Sequence, residues 1–193
     1  MKDLSEKAAR NLAAIRKKKP LIHNITNYVV MNYTANALLA MGASPVMAHA
    51  INEVEEMVSF AGALVLNIGT LTDDWIASMI KAGKKASESK IPVILDPVGS
   101  GATSFRTKAA KRVIRETRVS VIRGNASEIL SLRQDDSKTK GVDSMHSVEA
   151  AAGPAKILAG ELGSVLAVTA GKFHDRDARR TLHDYTGRTL TER

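Results

Sequence analysis

Two stretches decide the fold of this chain: Ala63-Leu64-Val65-Leu66-Asn67-Ile68-Gly69 and Pro92-Val93-Ile94-Leu95-Asp96-Pro97-Val98-Gly99-Ser100-Gly101-Ala102. Each begins as an unbroken apolar run and ends in polar residues and glycine. A parallel strand covered on both faces reads this way, whereas a half-exposed strand alternates apolar with polar residues. Between them, Thr72 suits a helix N-cap, with Trp75, Met79 and Ile80 along the helix that follows.

The same alternation continues in both directions. Upstream, residues 3–17 pattern as an amphipathic helix with Leu4, Ala8, Leu12 and Ile15 on one face. Pro20 to His23 reads as a short strand or extended entry. Residues 28–41 are helical, with Met31, Ala35, Leu38 and Leu39 on one side; Ser44 to Ala48 is a strand-like step, and 51–60 a short helix. Downstream, a helix is expected from Phe105 to Glu116, a strand over Val119–Ile122, a helix starting at Asn125, a helix over 147–162 and a strand over Val165–Thr169. The polar stretch Asp135 to Thr139 is expected to be an exposed loop. Strands alternating with helices predict an α/β domain with a mainly parallel sheet and right-handed crossovers. No internal repeat and no linker is visible, so residues 1–193 read as a single domain.

In such sheets ligands bind outside the carboxyl ends of the strands. Asn67, Asp96, Arg123 and Thr169 all fall there. Asp96, before a loop containing Gly99 and Gly101, can hold a cation or steer a phosphate; it can also simply start a turn before Pro97. Arg123 offers a forked, charge-assisted donor to phosphate oxygens. Asn125 can cap the next helix, which puts Glu128 at the third helical position as a capping-box acceptor or, alternatively, near a Mg²⁺ ion. The Thr169 hydroxyl can reach a nucleotide phosphate or merely finish a strand. His23-Asn24-Ile25-Thr26-Asn27 sets polar side chains before a helix that carries Asn32 and Asn36. Thr26 or Asn27 can cap that helix, and the two later asparagines hint at a polar pocket or interface. Met47 is core filling or the apolar wall of a small heteroaromatic site.

Composition narrows the classes. With 193 residues, 44% hydrophobic and 25% charged, the chain can build a real core. It contains no cysteine, so it has no disulfide, thiolate metal site or cysteine nucleophile of its own, in keeping with a reducing compartment. Its formal charge of +8 is spread along the chain, with one tight run at Lys17-Lys18-Lys19 and an aromatic content of only 4%, so specific nucleic-acid binding is not expected. The charged start does not read as a targeting signal, and the apolar stretch from Ala61 to Ile68 is far short of the roughly 20 residues that span a bilayer. A soluble, cytoplasmic protein is expected, with no membrane partner.

Taken in order, His23-Asn24-Ile25-Thr26-Asn27, Gly42-Ala43-Ser44-Pro45-Val46-Met47-Ala48, Leu66-Asn67-Ile68-Gly69-Thr70, Leu95-Asp96-Pro97-Val98-Gly99-Ser100-Gly101-Ala102 and Ile122-Arg123-Gly124-Asn125 resemble the successive signature segments of the hydroxyethylthiazole kinases. The resemblance runs from about Leu12 to Thr169 and keeps the family's spacing. It implies a ribokinase-like three-layer α/β fold, a homotrimer, and transfer of the γ-phosphate of ATP to the primary alcohol of 4-methyl-5-(2-hydroxyethyl)thiazole with Mg²⁺, a step that salvages the thiazole half of thiamine. By position it implies that Met47, Asn24 and Gly69 meet the thiazole, that Arg123 and Thr169 meet ATP, and that Asp96 and Glu128 lie near the metal. In the family the thiazole site lies at a subunit interface.

After Thr169 the reading departs from the family. Residues 170–193 form an atypical tail, rich in Arg, His and Asp and without strand alternation. The family's Gly-Thr-Gly-Cys-like segment, which holds the migrating phosphate, has no counterpart here, so no catalytic residue is assigned. On this reading the fold is C-terminally truncated, and little or no kinase activity is expected from the chain as given. A second reading is a non-catalytic relative that binds the thiazole or docks with complete subunits. A sugar or pyrimidine kinase of the same fold fits the His23–Asn27 and Met47 segments less well.

Overall fold

The computed structural model describes residues 2–133, 148–169 and 183–185. The elements run α1 (Lys2–Lys18), β1 (Leu21–Ile25), α2 (Met31–Met41), β2 (Ser44–Val46), α3 (Val54–Ser59), β3 (Ala63–Asn67), α4 (Asp73–Glu88), β4 (Val93–Asp96), α5 (Ser104–Glu116), β5 (Val121–Asn125), α6 (Ala126–Ser131), α7 (Val148–Leu162), β6 (Val165–Thr169) and β7 (His183–Tyr185). The strands form one seven-stranded sheet in the order β2-β1-β3-β4-β5-β6-β7. The first six are parallel, as the alternating pattern predicts.

The two faces of the sheet are covered unequally. Leu64 and Leu66 of β3, Leu95 of β4, Ile122 of β5 and Leu166 of β6 are fully buried. They share a core with Met79, Ala110, Val113 and Ile129 from the helices above them. The alternate residues Val65, Ile94, Val121 and Val165 are only half-buried. The unbroken apolar runs therefore do not mark strands covered equally on both faces. Topology supplies the reason. Every step from β2 through β3, β4 and β5 to β6 crosses the sheet in one direction, so right-handed crossovers put α3 to α7 on one face. Only β1 to β2 steps the other way, which sends α2 to the opposite face. Consistently, α3 contacts α4, α4 contacts α5 and α6 contacts α7, while α1 contacts α2.

Local chemistry sets the helix starts. Thr72 accepts a hydrogen bond from the Trp75 N–H at 3.2 Å and begins α4 as expected. Thr103 does the same for α5 through the Arg106 N–H at 3.3 Å. Asn125 and Glu128 form a full capping box, satisfying two otherwise orphaned donors. Helix α2 begins three residues later than its pattern suggests. Neither Thr26 nor Asn27 caps it; instead the Asn27 side chain accepts from the Val30 N–H at 3.1 Å and holds residues 28–30 in a turn.

Three further expectations need correction. The apolar face of α1 is not a core face: Leu4 is 70% exposed, and only Leu12 and Ile15 are half-buried. Strand β5 continues to Asn125, so Arg123 lies within it and not after it. The tail does hold a strand: β7 pairs antiparallel with β6, with Tyr185 opposite Leu166 and His183 opposite Val168. Alternation could not reveal a three-residue strand whose backbone partner is already in place. The Asp135–Thr139 loop lies outside the described residues. Among the described residues no helix is long and apolar enough to cross a membrane.

Candidate active site

The carboxyl ends of the six parallel strands lie along one edge. There the chain leaves β1 toward β2 on one side and leaves β3 toward β4 on the other. This reversal opens a crevice between β1 and β3, the place where ligands bind in open α/β sheets. The residues predicted from sequence fall into two groups, separated between β3 and β4. Asn24 is on β1, Met47 follows β2 and Gly69 follows β3; Asp96 ends β4, Arg123 is on β5, Glu128 is on α6 and Thr169 ends β6.

The β1–β3 half is built from buried amides. His23, Asn24, Thr26 and Asn27 are between 0% and 6% exposed, and Asn67 is 8% exposed. The Asn27 side-chain N–H donates to Asn67 Oδ1 at 2.7 Å. The backbone N–H of Gly69 donates to the same oxygen at 2.9 Å. The Asn67 side-chain N–H then donates to Asp96 Oδ2 at 3.1 Å. Backbone donors settle the amide orientations: Val30 N–H must face the oxygen of Asn27, and Gly69 N–H the oxygen of Asn67. Gly69 has no room for a side chain, since a Cβ there would lie 2.5 Å from Asn27 Nδ2 and 2.8 Å from Asn27 Cβ.

On the same side, the His23 Nε2–H donates to the Ala48 carbonyl at 2.7 Å. Burial holds the His23 pKa below its usual value, which favours the neutral ring. Asn24 donates to the Ile22 carbonyl at 2.8 Å and to Val46 on β2 at 3.5 Å. Its Oδ1 is buried and has no partner among the described residues. Met47, half-buried, lies between Val46 and Ala48, both tied to β1 by these bonds. The Trp75 ring packs against Tyr28 at 5.1 Å and His49 at 4.9 Å between centroids, an aromatic wall at the ends of the same strands.

The β4–β6 half is charged. Arg123 reaches Asp96 Oδ2 at 3.3 Å, with side-chain exposures of 55% and 19%. Burial raises the Asp96 pKa; the Arg123 guanidinium opposes the shift and the nearby Glu128 carboxylate adds to it. Glu128 accepts the Gly99 N–H through Oε1 at 2.9 Å and the Asn125 N–H through Oε2 at 2.8 Å. Gly99 sits at φ 73°, a conformation that favours glycine, which lets the loop after β4 bend toward Glu128. Thr169 donates to the Gly124 carbonyl at 3.3 Å, so β6 meets β5 beside Arg123. Among the described residues no group of three or more His, Cys, Asp or Glu could hold a metal. Asp96 and Glu128 nonetheless form a pair of hard oxygen donors whose mutual repulsion a cation would relieve, which suits Mg²⁺ bound with few protein ligands.

The structure thus joins Asp96, Arg123 and Glu128, and sets Thr169 beside them. Asn24, Met47 and Gly69 share neighbouring strand ends. Sequence reasoning missed Arg106. Its guanidinium donates to the carbonyls of Ile68 at 3.0 Å, Gly69 at 2.8 Å and Val98 at 2.9 Å, clamping the turn after β3 to the loop after β4. One signal was available: a cation in the first turn of a helix opposes the helix dipole and needs another reason to be there. In the sequence Asn27 offers only a cap, because its partner lies forty positions away.

Comparison with known proteins agrees along the chain. The family model described as hydroxyethylthiazole kinase family matches residues 12–190, past the point where the motif resemblance stops. A hydroxyethylthiazole kinase from Desulfotalea psychrophila is 61% identical over 190 residues, which cover 98% of this chain and 70% of that protein. One from Desulfosudis oleivorans is 56% identical over 175 residues, covering 90% of this chain and 64% of the relative. The solved structure of a hydroxyethylthiazole kinase protein from Pyrococcus horikoshii OT3 superposes with a TM-score of 0.73 at 46% identity, covering 82% of this chain and 59% of that one. The chain therefore spans between 59% and 70% of the length of these three relatives.

Proposed function

Because the chain belongs to the hydroxyethylthiazole kinase family, we propose that the carboxyl edge of its sheet brings the primary alcohol of hydroxyethylthiazole together with Mg-ATP for phosphoryl transfer. One observation carries this reading: the edge divides between β3 and β4 into a half of buried neutral amides around the β1–β3 crevice and a half of charged side chains. The neutral half suits a small uncharged heteroaromatic alcohol, and the charged half suits a polyphosphate. In this reading Met47, Asn24 and Gly69 meet the thiazole. The buried Asn24 Oδ1 is an acceptor of the kind a substrate hydroxyl satisfies. Arg123 and Thr169 meet ATP.

Asp96 is the carboxylate best placed to hold Mg²⁺; both Glu128 oxygens already accept backbone N–H groups, so Glu128 acts mainly through its charge. When bound, Mg²⁺ supplies charge neutralisation on the phosphate oxygens. The protein's own part is positioning: Arg106 and Asn67 hold the two loops, and the buried amides keep water away from the reacting alcohol.

A homotrimer belongs to the same proposal. Tyr28, Val29, Tyr33 and Leu39 are 63%, 88%, 79% and 57% exposed around the start and outer side of α2, and an apolar surface of this kind beside a site suits a second subunit. A cytoplasmic location and a single kinase-like domain over residues 1–193 complete the reading. A second reading is a relative that binds the thiazole without turning it over, for which the bonded amides of the neutral half suffice.

Calorimetric titration with hydroxyethylthiazole, with and without Mg-ATP, tests the proposal beside an ATP-turnover assay. Saturable thiazole binding with turnover supports the kinase. Saturable binding without turnover supports the second reading, and no binding by folded protein overturns both.

A further inference from the structure

We propose that Asn67 is a positioning residue that ties the Gly69 turn, on the thiazole side, to the Asp96 carboxylate, on the Mg-ATP side. The inference rests on the function proposed above and assigns how its two halves are held in register. Asn67 ends β3 at the topological reversal and touches both halves with opposite ends of one amide. Its Oδ1 receives the Gly69 N–H and the Asn27 side-chain N–H. Its N–H donates to the Asp96 oxygen that Arg123 also contacts. The amide cannot be turned around without setting the Gly69 N–H against an N–H and its own oxygen against a carboxylate. Asn27 reinforces this direction, since the Val30 N–H holds its oxygen.

The required chemistry is specific. An acceptor must face β1 and the Gly69 turn, and a donor must face β4. At this length only an amide presents both. A carboxylate at position 67 would keep the acceptor and lose the donor. It would also place a negative charge against Asp96 in a site that is largely closed to water, where like charges repel most strongly. The strain would fall on the Gly69 turn, and so on the half of the site that contains neither carboxylate. A compensating change follows from the same geometry. With an amide at position 96, the pair would again be donor to acceptor, with its direction reversed.

The experiment is a calorimetric titration of the full chain with hydroxyethylthiazole at pH 8 in the absence of Mg²⁺, on wild type, Asn67→Asp, Asp96→Asn and the double variant. Asn67→Asp is expected to weaken thiazole binding about tenfold or more. The double variant is expected to bind the thiazole within about threefold of Asp96→Asn alone, so that the loss caused by Asn67→Asp disappears in that background. Rescue of thiazole affinity by a change on the other half of the site is not expected of a residue that only supports the fold. Wild-type affinity in Asn67→Asp, or a defect that Asp96→Asn leaves in place, overturns the inference while leaving the function standing. No thiazole binding by folded wild type overturns the function and the inference together. Should Asn67→Asp fail to fold, Asn67→Ala replaces it. That variant is expected to weaken both thiazole and Mg-ATP binding about tenfold, and loss of only one overturns the inference.

Discussion

At the ends of β1 and β3 the polar side chains are buried, with Asn27 and Asn67 bonded to each other and His23 and Asn24 to backbone carbonyls, whereas at the ends of β4 and β5 Arg123 remains 55% exposed and meets one carboxylate at 3.3 Å. The difference follows from charge. Amides can satisfy each other out of water, because each bond replaces one lost to solvent and no ion is stripped of hydration. A guanidinium and two carboxylates cannot be closed off so cheaply, and they stay partly hydrated until an anion or cation completes them. One half of the site is thus preformed for a neutral molecule, and the other is left for charged ligands to complete.

Substitutions can break this contrast, beginning with the largest effect. Gly69→Ala pushes a methyl group into a buried, doubly bonded Asn27, which cannot swing aside. It is expected to cost about 1–3 kcal/mol and to weaken thiazole binding about tenfold to a hundredfold. Calorimetry and chemical denaturation measure the two effects, and unchanged affinity would show that the turn is not preformed. Arg106→Ala removes three bonds to carbonyls of both loops and is expected to destabilise the protein by about 2 kcal/mol, with Arg106→Lys recovering part of it. Equal denaturation midpoints for the three proteins would rule out the clamp.

On the charged half the expected losses are functional. Burial raises the Asp96 pKa. A raised folded-state pKa means that the group favours folding only below its ordinary range, and that contribution is lost as pH rises through the folded value. At neutral pH the ionised carboxylate therefore does not help the fold. Asp96→Asn is expected to be at least as stable as wild type at pH 7 while binding Mg-ATP about tenfold more weakly or worse. A clear loss of stability would mean that Arg123 and Asn67 more than repay the burial. Arg123→Ala should change stability least, by less than about 1 kcal/mol, because its ion pair is solvent-exposed. Its loss should appear in nucleotide titrations and leave thiazole titrations unmoved.

Much of this was legible in the chain itself. Apolar runs ending at Gly69 and before Asp96 mark parallel strands, and the Thr72 and Asn125–Glu128 caps follow from spacing alone because their partners are three residues away. The order of short motifs carried the family. The amphipathic pattern of α1 was legible as a helix but said nothing of what covers it, and Leu4 stays exposed. β7 was illegible because three residues of paired backbone leave no periodicity to read.

By itself, then, the sequence determined the alternation of strand and helix, the helix starts capped by Thr72 and Asn125, and the residue types available at each strand end. All of these depend on neighbours within a turn or two. The tertiary structure alone decided that β1 lies beside β3, that Asn27 therefore meets Asn67 across forty positions, and that Arg106 reaches back thirty-seven to Gly69. Periodicity encodes which way a side chain faces along its own element. The strand order that brings distant side chains within 3 Å of one another is set by packing and crossover handedness over the whole sheet.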